Sequence, residues 1–451
     1  MKIAATGVSV LVVALLSAAH GRSSAPETIT FTKHVAPILQ QKCQICHQPD
    51  SIGPMPLITY EDAREYADKI KRKVSQRLMP PWHIDRTVGI QRFKNDRSLS
   101  DEQIATLVAW VDGGTPLGDQ KDLPPPVTFP EPLGWQLAKD FGPPDLVIRS
   151  APYTLAAHTQ DKWFRPVSET GLTEPRWVRA IEIRPTTLIG RRTVHHVLAS
   201  LEQEEPEGVE GLAHSAHDVQ MTAGLFMEWA VGKTGQIFPK DAGKLMLPGS
   251  RIRWEIHMFA IGEEVKNDQV ELGIYFYPKG TVPAHRTVLR MFDVTRGSQL
   301  DIPPGETAMS QNYYVLQAPA RMENFQPHMH MRGRAMSVEA VYPDGRKEVL
   351  SAVNRFQWNW HINYVYADEE APLLPAGTVL HLIGVHDNTS ANRRNPDPNM
   401  WVGFGERSVD DMLQVWLDMV YLDDAEYQRL VEERKGKATS TAADRIVDGM
   451  L

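Results

Sequence analysis

Apolar positions recur with helical spacing through the first part of the chain. Between Phe31 and Lys42, the residues Val35, Ile38 and Leu39 fall on one face of a helix. Thr59-x-x-Asp62 reads as a helix start with an acidic third position, and the helix from Tyr60 is expected to run to Leu78, where Pro80-Pro81 stops it. Ser100-x-x-Gln103 is a capping box. Ile104, Leu107, Val108 and Val111 follow as an i, i+3, i+4, i+7 stripe, and Gly113-Gly114 and Pro116 end it. Residues 119–145 then carry Pro124-Pro125-Pro126, Pro130, Pro132 and Pro143-Pro144, the composition of a semi-rigid linker draped on a neighbour.

Beyond the linker the period changes. Short alternating or β-branched runs recur at Trp177–Ile183, Arg251–Phe259, Val270–Tyr277, Met336–Tyr342, Thr378–Val385 and Leu413–Tyr421. Breaks such as Pro248-Gly249-Ser250 and Pro343-Asp344-Gly345 separate them. This pattern predicts a multidomain chain: a small all-α domain followed by two all-β antiparallel sandwiches, jelly-roll-like. The expected divisions are a signal peptide at 1–21, the helical domain at 22–118, the linker at 119–145, sandwiches at 146–295 and 296–430, and a polar tail at 431–451 that frays after Lys435.

Composition changes this picture little. A hydrophobic share of 42% and a charged share of 23% are those of ordinary globular protein. The formal net charge of −8 gives no reason to expect nucleic acid or an anionic membrane surface as a partner. Lys2, the apolar run Val8–Leu16 and the small residues Ala19-His20-Gly21 read as a secretory signal, too short to span a bilayer. A periplasmic or secreted bacterial protein follows, with no membrane span after cleavage.

The first chemistry-bearing motif is Cys43-Gln44-Ile45-Cys46-His47, which contains the only 2 cysteines of the chain. C-x-x-C-H is the attachment pattern of haem c: two thiols reach one porphyrin and the adjacent imidazole becomes an axial ligand of the iron. Export agrees with this, because haem c is attached outside the bacterial cytoplasm. No cysteine is left for a disulfide. Met79, before Pro80-Pro81, is the expected sixth ligand, with Met55 and His83 as competitors.

Histidines form the second constellation. His195 and His196 are adjacent, His257 stands alone, and His328 and His330 make an HxH. Residues i and i+2 of a strand share a face, so His328 and His330 suit one metal. Adjacent histidines point to opposite faces and need a bulge or a strand end to share one. Imidazoles accept Zn, Cu, Fe or Ni, and a nearby thioether shifts the preference to copper; Met412 is the candidate. His214 and His217 lie in a small-residue loop, and His361, His381 and His386 read as structural or supporting residues.

Taken in order, His195-His196, His257, the HxH of His328 and His330, and a Gly-x-x-x-x-Asp-Asp-Met segment ending at Met412 resemble the copper type II, ascorbate-dependent monooxygenases, the family of peptidylglycine α-hydroxylating monooxygenase and dopamine β-monooxygenase. Phe356-Gln357-Trp358-Asn359, Leu374-Pro375-Ala376-Gly377-Thr378 and Asp387-Asn388-Thr389 add to the likeness. The first domain separately resembles the cytochrome c modules fused to bacterial members. The resemblance implies two copper ions, an electron-storing one on His195, His196 and His257 and a dioxygen-activating one on His328, His330 and Met412, facing each other across a solvent-filled cleft. It also implies hydroxylation of a C–H bond in a small organic substrate with dioxygen. Electrons would come from a periplasmic cytochrome, a quinol-linked donor or an ascorbate-like reductant, with the haem lying nearer the all-histidine site. The family's substrate-carboxylate positions are Gln326, Gln414 and Trp416 here, which argues against a glycine-extended peptide and, through Trp416, toward an apolar or aromatic substrate. The alternative is a copper–haem electron-transfer or copper-handling protein without oxygenase activity.

Overall fold

The computed structural model describes residues 28–448 except 130, 205–223, 231, 234 and 294–299, with side chains to residue 436. The signal segment, His214 and His217 lie outside the described residues. Strands dominate and helices are few.

The helices cluster at the start. Ala36–Lys42, Tyr60–Glu65, Ala67–Ser75 and Asp101–Asp112 share a core of Val35, Leu39, Ala63, Ile70, Val74, Leu107 and Trp110. Both expected capping boxes are present, Thr59 with Asp62 and Ser100 with Gln103. The single helix expected from Tyr60 to Leu78 is instead two. Tyr66 leaves helical geometry at ψ 13°, and the second helix ends at Ser75, just before Arg77 takes a left-handed φ of 52°.

The first sandwich packs two sheets. In one, Arg176–Pro185 lies between Val270–Phe276 and Ala242–Met246. In the other, Arg251–Met258 pairs with Val194–Glu202, which pairs in turn with Leu225–Ala230. Ile181, Val197, Ile252, Trp254, Leu272 and Ile274 fill the space between. The second sandwich sets the sheet Thr307–Val315, Val379–Asp387, Gly333–Val341, Lys347–Val353 against strands gathered on Leu413–Tyr421. His285–Asp293, counted by the sequence pattern with the first sandwich, pairs along Leu413–Tyr421 and belongs to the second. A short parallel contact of His285 and Arg286 with Ala242 and Gly243 joins the halves into an 11-stranded sheet.

Two further expectations change. The helical domain is not self-contained within 22–118, because residues 82–95 leave it and lie on the second sandwich before the chain returns for Asp101–Asp112. Ile84 bridges Val353, Ile90 N–H donates to the Leu350 carbonyl at 2.9 Å, and Lys94 N–H donates to Val365 at 2.8 Å. Trp82 enters the sandwich core with its ring 4.8 Å from Tyr364. The tail continues as a helix past Lys435, where fraying is expected: Asp424–Asp448 is one helix, consistent with its Ala, Glu, Lys and Arg content and with pairs such as Arg429–Glu433. The proline-rich linker lies on the first sandwich as expected. Glu182 accepts from the N–H of Gln136 and Leu137, and Arg184 stacks 4.0 Å over Trp135.

Candidate metal centre

His196 and His257 face each other in register on neighbouring strands, and the next pair is Val194 with Met258. Residue 195 is therefore the extra residue of a bulge, the device that two adjacent histidines need to reach one side. Ligand atoms of His195, His196 and His257 all lie within 4.8 Å of one another. Nε2 of His196 is 3.1 Å from Nδ1 of His257. Burial, then the neighbouring imidazoles, hold His195 down at about 3 and His196 well below the usual histidine range, so both rings are neutral and keep a lone pair. Nδ1 of each is buried without a hydrogen-bond partner. Converging buried imidazoles that each keep an unpartnered nitrogen fit a metal ion better than a packed core. The Asp161 carboxylate lies 3.3 Å from Nε2 of His257 and accepts from the Ser408 N–H and O–H, each at 3.0 Å. Its bond to His257 holds it far below the ordinary carboxylate range. Trp163 stacks flat on His257, centroids 4.5 Å apart.

The second set is built differently. The strand Asn324–Met329 runs antiparallel to Leu413–Tyr421 with His328 opposite Gln414 and Met329 opposite Leu413. Just beyond that register, the backbone N–H groups of His330 and Met412 both donate to Asp411. Asp411 clamps this corner. Fully buried, it accepts from the backbone N–H of His330, Arg332 and Met412 and from Nε2 of His386, at 2.9–3.1 Å. Burial would raise its pKa, but His386, His330 and these donors hold it below the usual value. Nδ1 of His330 donates to the Asp410 carbonyl at 3.3 Å, which leaves Nε2 as the free lone pair.

The two sets do not stand apart across a cleft. The rings of His196 and His328 meet edge to face at 5.7 Å, and all five histidines are at most 8% exposed. The reason is a sixth imidazole. His361, which the sequence suggests as structural, is wedged between the halves, its ring 5.4 Å from His195 and 4.5 Å from His328. It closes a segment, Trp358-Asn359-Trp360-His361, whose crowded aromatics were the available sequence signal.

Around Cys43-Gln44-Ile45-Cys46-His47 both thiols are free. Burial pushes Cys43 up to about 12 and raises Cys46 as well. Nδ1 of His47 donates to the Met55 carbonyl at 3.0 Å, leaving Nε2 free to bind iron. Gly53 allows this fit: a Cβ there would stand 2.7 Å from Nδ1 of His47. Of the motif, Ile45 alone lines a cavity of about 730 Å³ between the helices, the linker and both sandwiches; Cys43, Cys46 and His47 do not line it. Two free thiols and an imidazole with a free Nε2 are the donor set that haem c would use. Met55 lies behind the His47 ring, on the side away from Nε2. His83 is held at about 4 by burial and by Arg355 and Arg394 of the second sandwich. Met79 is half-buried at the head of the segment that continues through Pro81. Cys46 shares a small cavity with Arg191, whose helix Leu188–Thr193 leads into His195, while Trp82 and His83, further along the chain, contact Tyr364.

No family model matches the chain, and no curated protein does. Solved structures similar to parts of it include the major capsid protein P2 of bacteriophage PM2, at 11% identity over 61% of this chain and 96% of that one, with a TM-score of 0.28. Another is broad bean stain virus, at 7% identity over 62% and 88% with a TM-score of 0.24. Likeness at this level decides nothing about the histidine cluster.

The substrate-side positions are occupied internally. Gln326 donates to Glu228 and accepts from Nζ of Lys233 at 3.2 Å, tying the sandwiches together. Trp416, 1% exposed, lies 4.7 Å from His328 and seats that ring rather than lining an open pocket.

Proposed function

We propose that this chain is an exported, haem c-containing dicopper monooxygenase that hydroxylates a C–H bond of a small organic substrate. The observation that carries this reading is the convergence of His195, His196 and His257, each with an unpartnered buried nitrogen, beside the HxH of His328 and His330 in one buried core. The net reaction consumes dioxygen, two electrons and two protons per C–H bond and yields an alcohol and one water. Bound copper would supply one-electron chemistry and dioxygen binding, and haem c would supply electron delivery.

The chain's own residues divide the work. His195, His196 and His257 would hold the electron-storing ion, with Asp161 fixing the tautomer of His257. His328, His330 and Met412 would hold the second, where the soft thioether favours the reduced state that reacts with dioxygen. Asp411 fixes the HxH–Met corner, and Trp163 and Trp416 keep water from the rings. Cys43, Cys46 and His47 would carry the haem, with Met79 as sixth ligand. Electrons would arrive from a periplasmic cytochrome, a quinol-linked donor or an ascorbate-like reductant.

Met412→Ile in the copper-loaded protein should abolish single-turnover hydroxylation and leave the haem absorption spectrum intact. Unchanged turnover would sink the assignment. The burial of all five candidate histidines and the contact between the sets favour one second reading, electron transfer or copper handling without oxygenation. Under it, the reduced copper protein reoxidises in air no faster than its His328→Ala variant.

A further inference from the structure

His361 belongs to neither predicted ligand set, yet its geometry is that of a ligand. Its Nδ1 lies 3.1 Å from Nδ1 of His328, and the two rings stand at 90°. Two imidazole nitrogens bound to one ion at about 2.0–2.1 Å are separated by about 2.9 Å at a right angle and about 3.3 Å at the tetrahedral angle. The observed separation falls between these limits. It also equals the 3.1 Å between His196 and His257 of the three-histidine set. His361 is 2% exposed, its Nδ1 is within hydrogen-bond distance of Nδ1 of His328, and its buried Nε2 has no hydrogen-bond partner. It follows a half-exposed stretch, Gln357–Asn359, and the backbone bond from the Trp360 N–H to the Gln357 carbonyl, 2.8 Å, turns the chain inward at this point.

We infer that His361 is a ligand of the metal ion held by His328. This rests on the copper reading above and extends it: the second site is a three-imidazole site with a thioether, not a two-imidazole one. Among the described residues the three-histidine set is the one group of three histidine, cysteine or carboxylate ligand atoms within 4.8 Å of one another. His361 and His328 form the close pair on which the inference rests, with the His330 ring 5.3 Å from that of His328. A third imidazole makes that ion harder to displace and gives the segment from Phe356 a role in metal retention.

The test uses the full haem-loaded chain, freed of copper and titrated anaerobically with Cu(I) against a competing chelator. Wild-type protein should take up two ions, and His361→Gln should bind the second about 100-fold or more weakly, beyond the usual effect of a merely supporting residue. Added imidazole should restore that affinity in His361→Ala. Counting coordinated imidazole nitrogens on the oxidised wild-type protein by X-ray absorption should give six over two ions, and five would overturn the inference. That count decides alone if the variants fail to fold. Two ions bound with equal affinity by wild type and His361→Gln would overturn this inference and leave the parent reading standing. A wild-type chain that takes up no copper would overturn both.

Discussion

The two candidate copper sites reach similar chemistry by opposite means. The first is written into a sheet: His196 and His257 are register partners, and a bulge turns His195 to join them. Its geometry is secured by ladder hydrogen bonds spread along two strands. The second sits where a strand runs out, and one carboxylate holds it. Asp411, fully buried, collects three backbone N–H groups and one imidazole. A site secured by register loses little when one side chain changes. A site secured by one buried charge loses everything at once, because that charge has no alternative partner.

The sharpest way to break this comparison is Asp411→Asn. It places an amide hydrogen against backbone donors and should destabilise the fold by about 3–5 kcal/mol, with loss of copper from the second set first. Denaturant titration with copper analysis checks this, and equal loss from both sets would contradict the contrast. Asp161→Asn comes next. It removes the partner of His257 without touching the ladder, so copper affinity at the first set should fall about 10–100-fold while the fold persists. Competition with a chelator measures it. The smallest effect is expected from Trp163→Leu, which removes the flat stack on His257 and should cost about 1 kcal/mol of stability with both copper ions retained.

Features carried by local spacing were readable before any fold was known. The two capping boxes, the strands near Arg251 and Leu413, and the need for a bulge at His195-His196 all follow from residues a few positions apart. What depends on distant partners was not. The strand Asn324–Met329 is buried at every position and contains Pro327, so it shows no alternation. His285–Asp293 joins the second sandwich only because Leu413–Tyr421 is its partner, more than a hundred residues on. His361 is close to His328 across a sequence separation of 33. Nothing in its neighbours states that distance.

The segment 82–95 has a further consequence. Lys347–Val353 is the last strand of its sheet, and an uncovered last strand is a template on which another chain can add. Ile84, Asp85 and Ile90 occupy that margin. The stretch between the haem motif and the final helix of its unit is thus also a protective seam for the far sandwich. The helical unit cannot be cut away as a detachable cassette without unmasking a sticky border, and the separation between its Cys43–His47 motif and the histidine cluster is set by stitching rather than by the length of a tether.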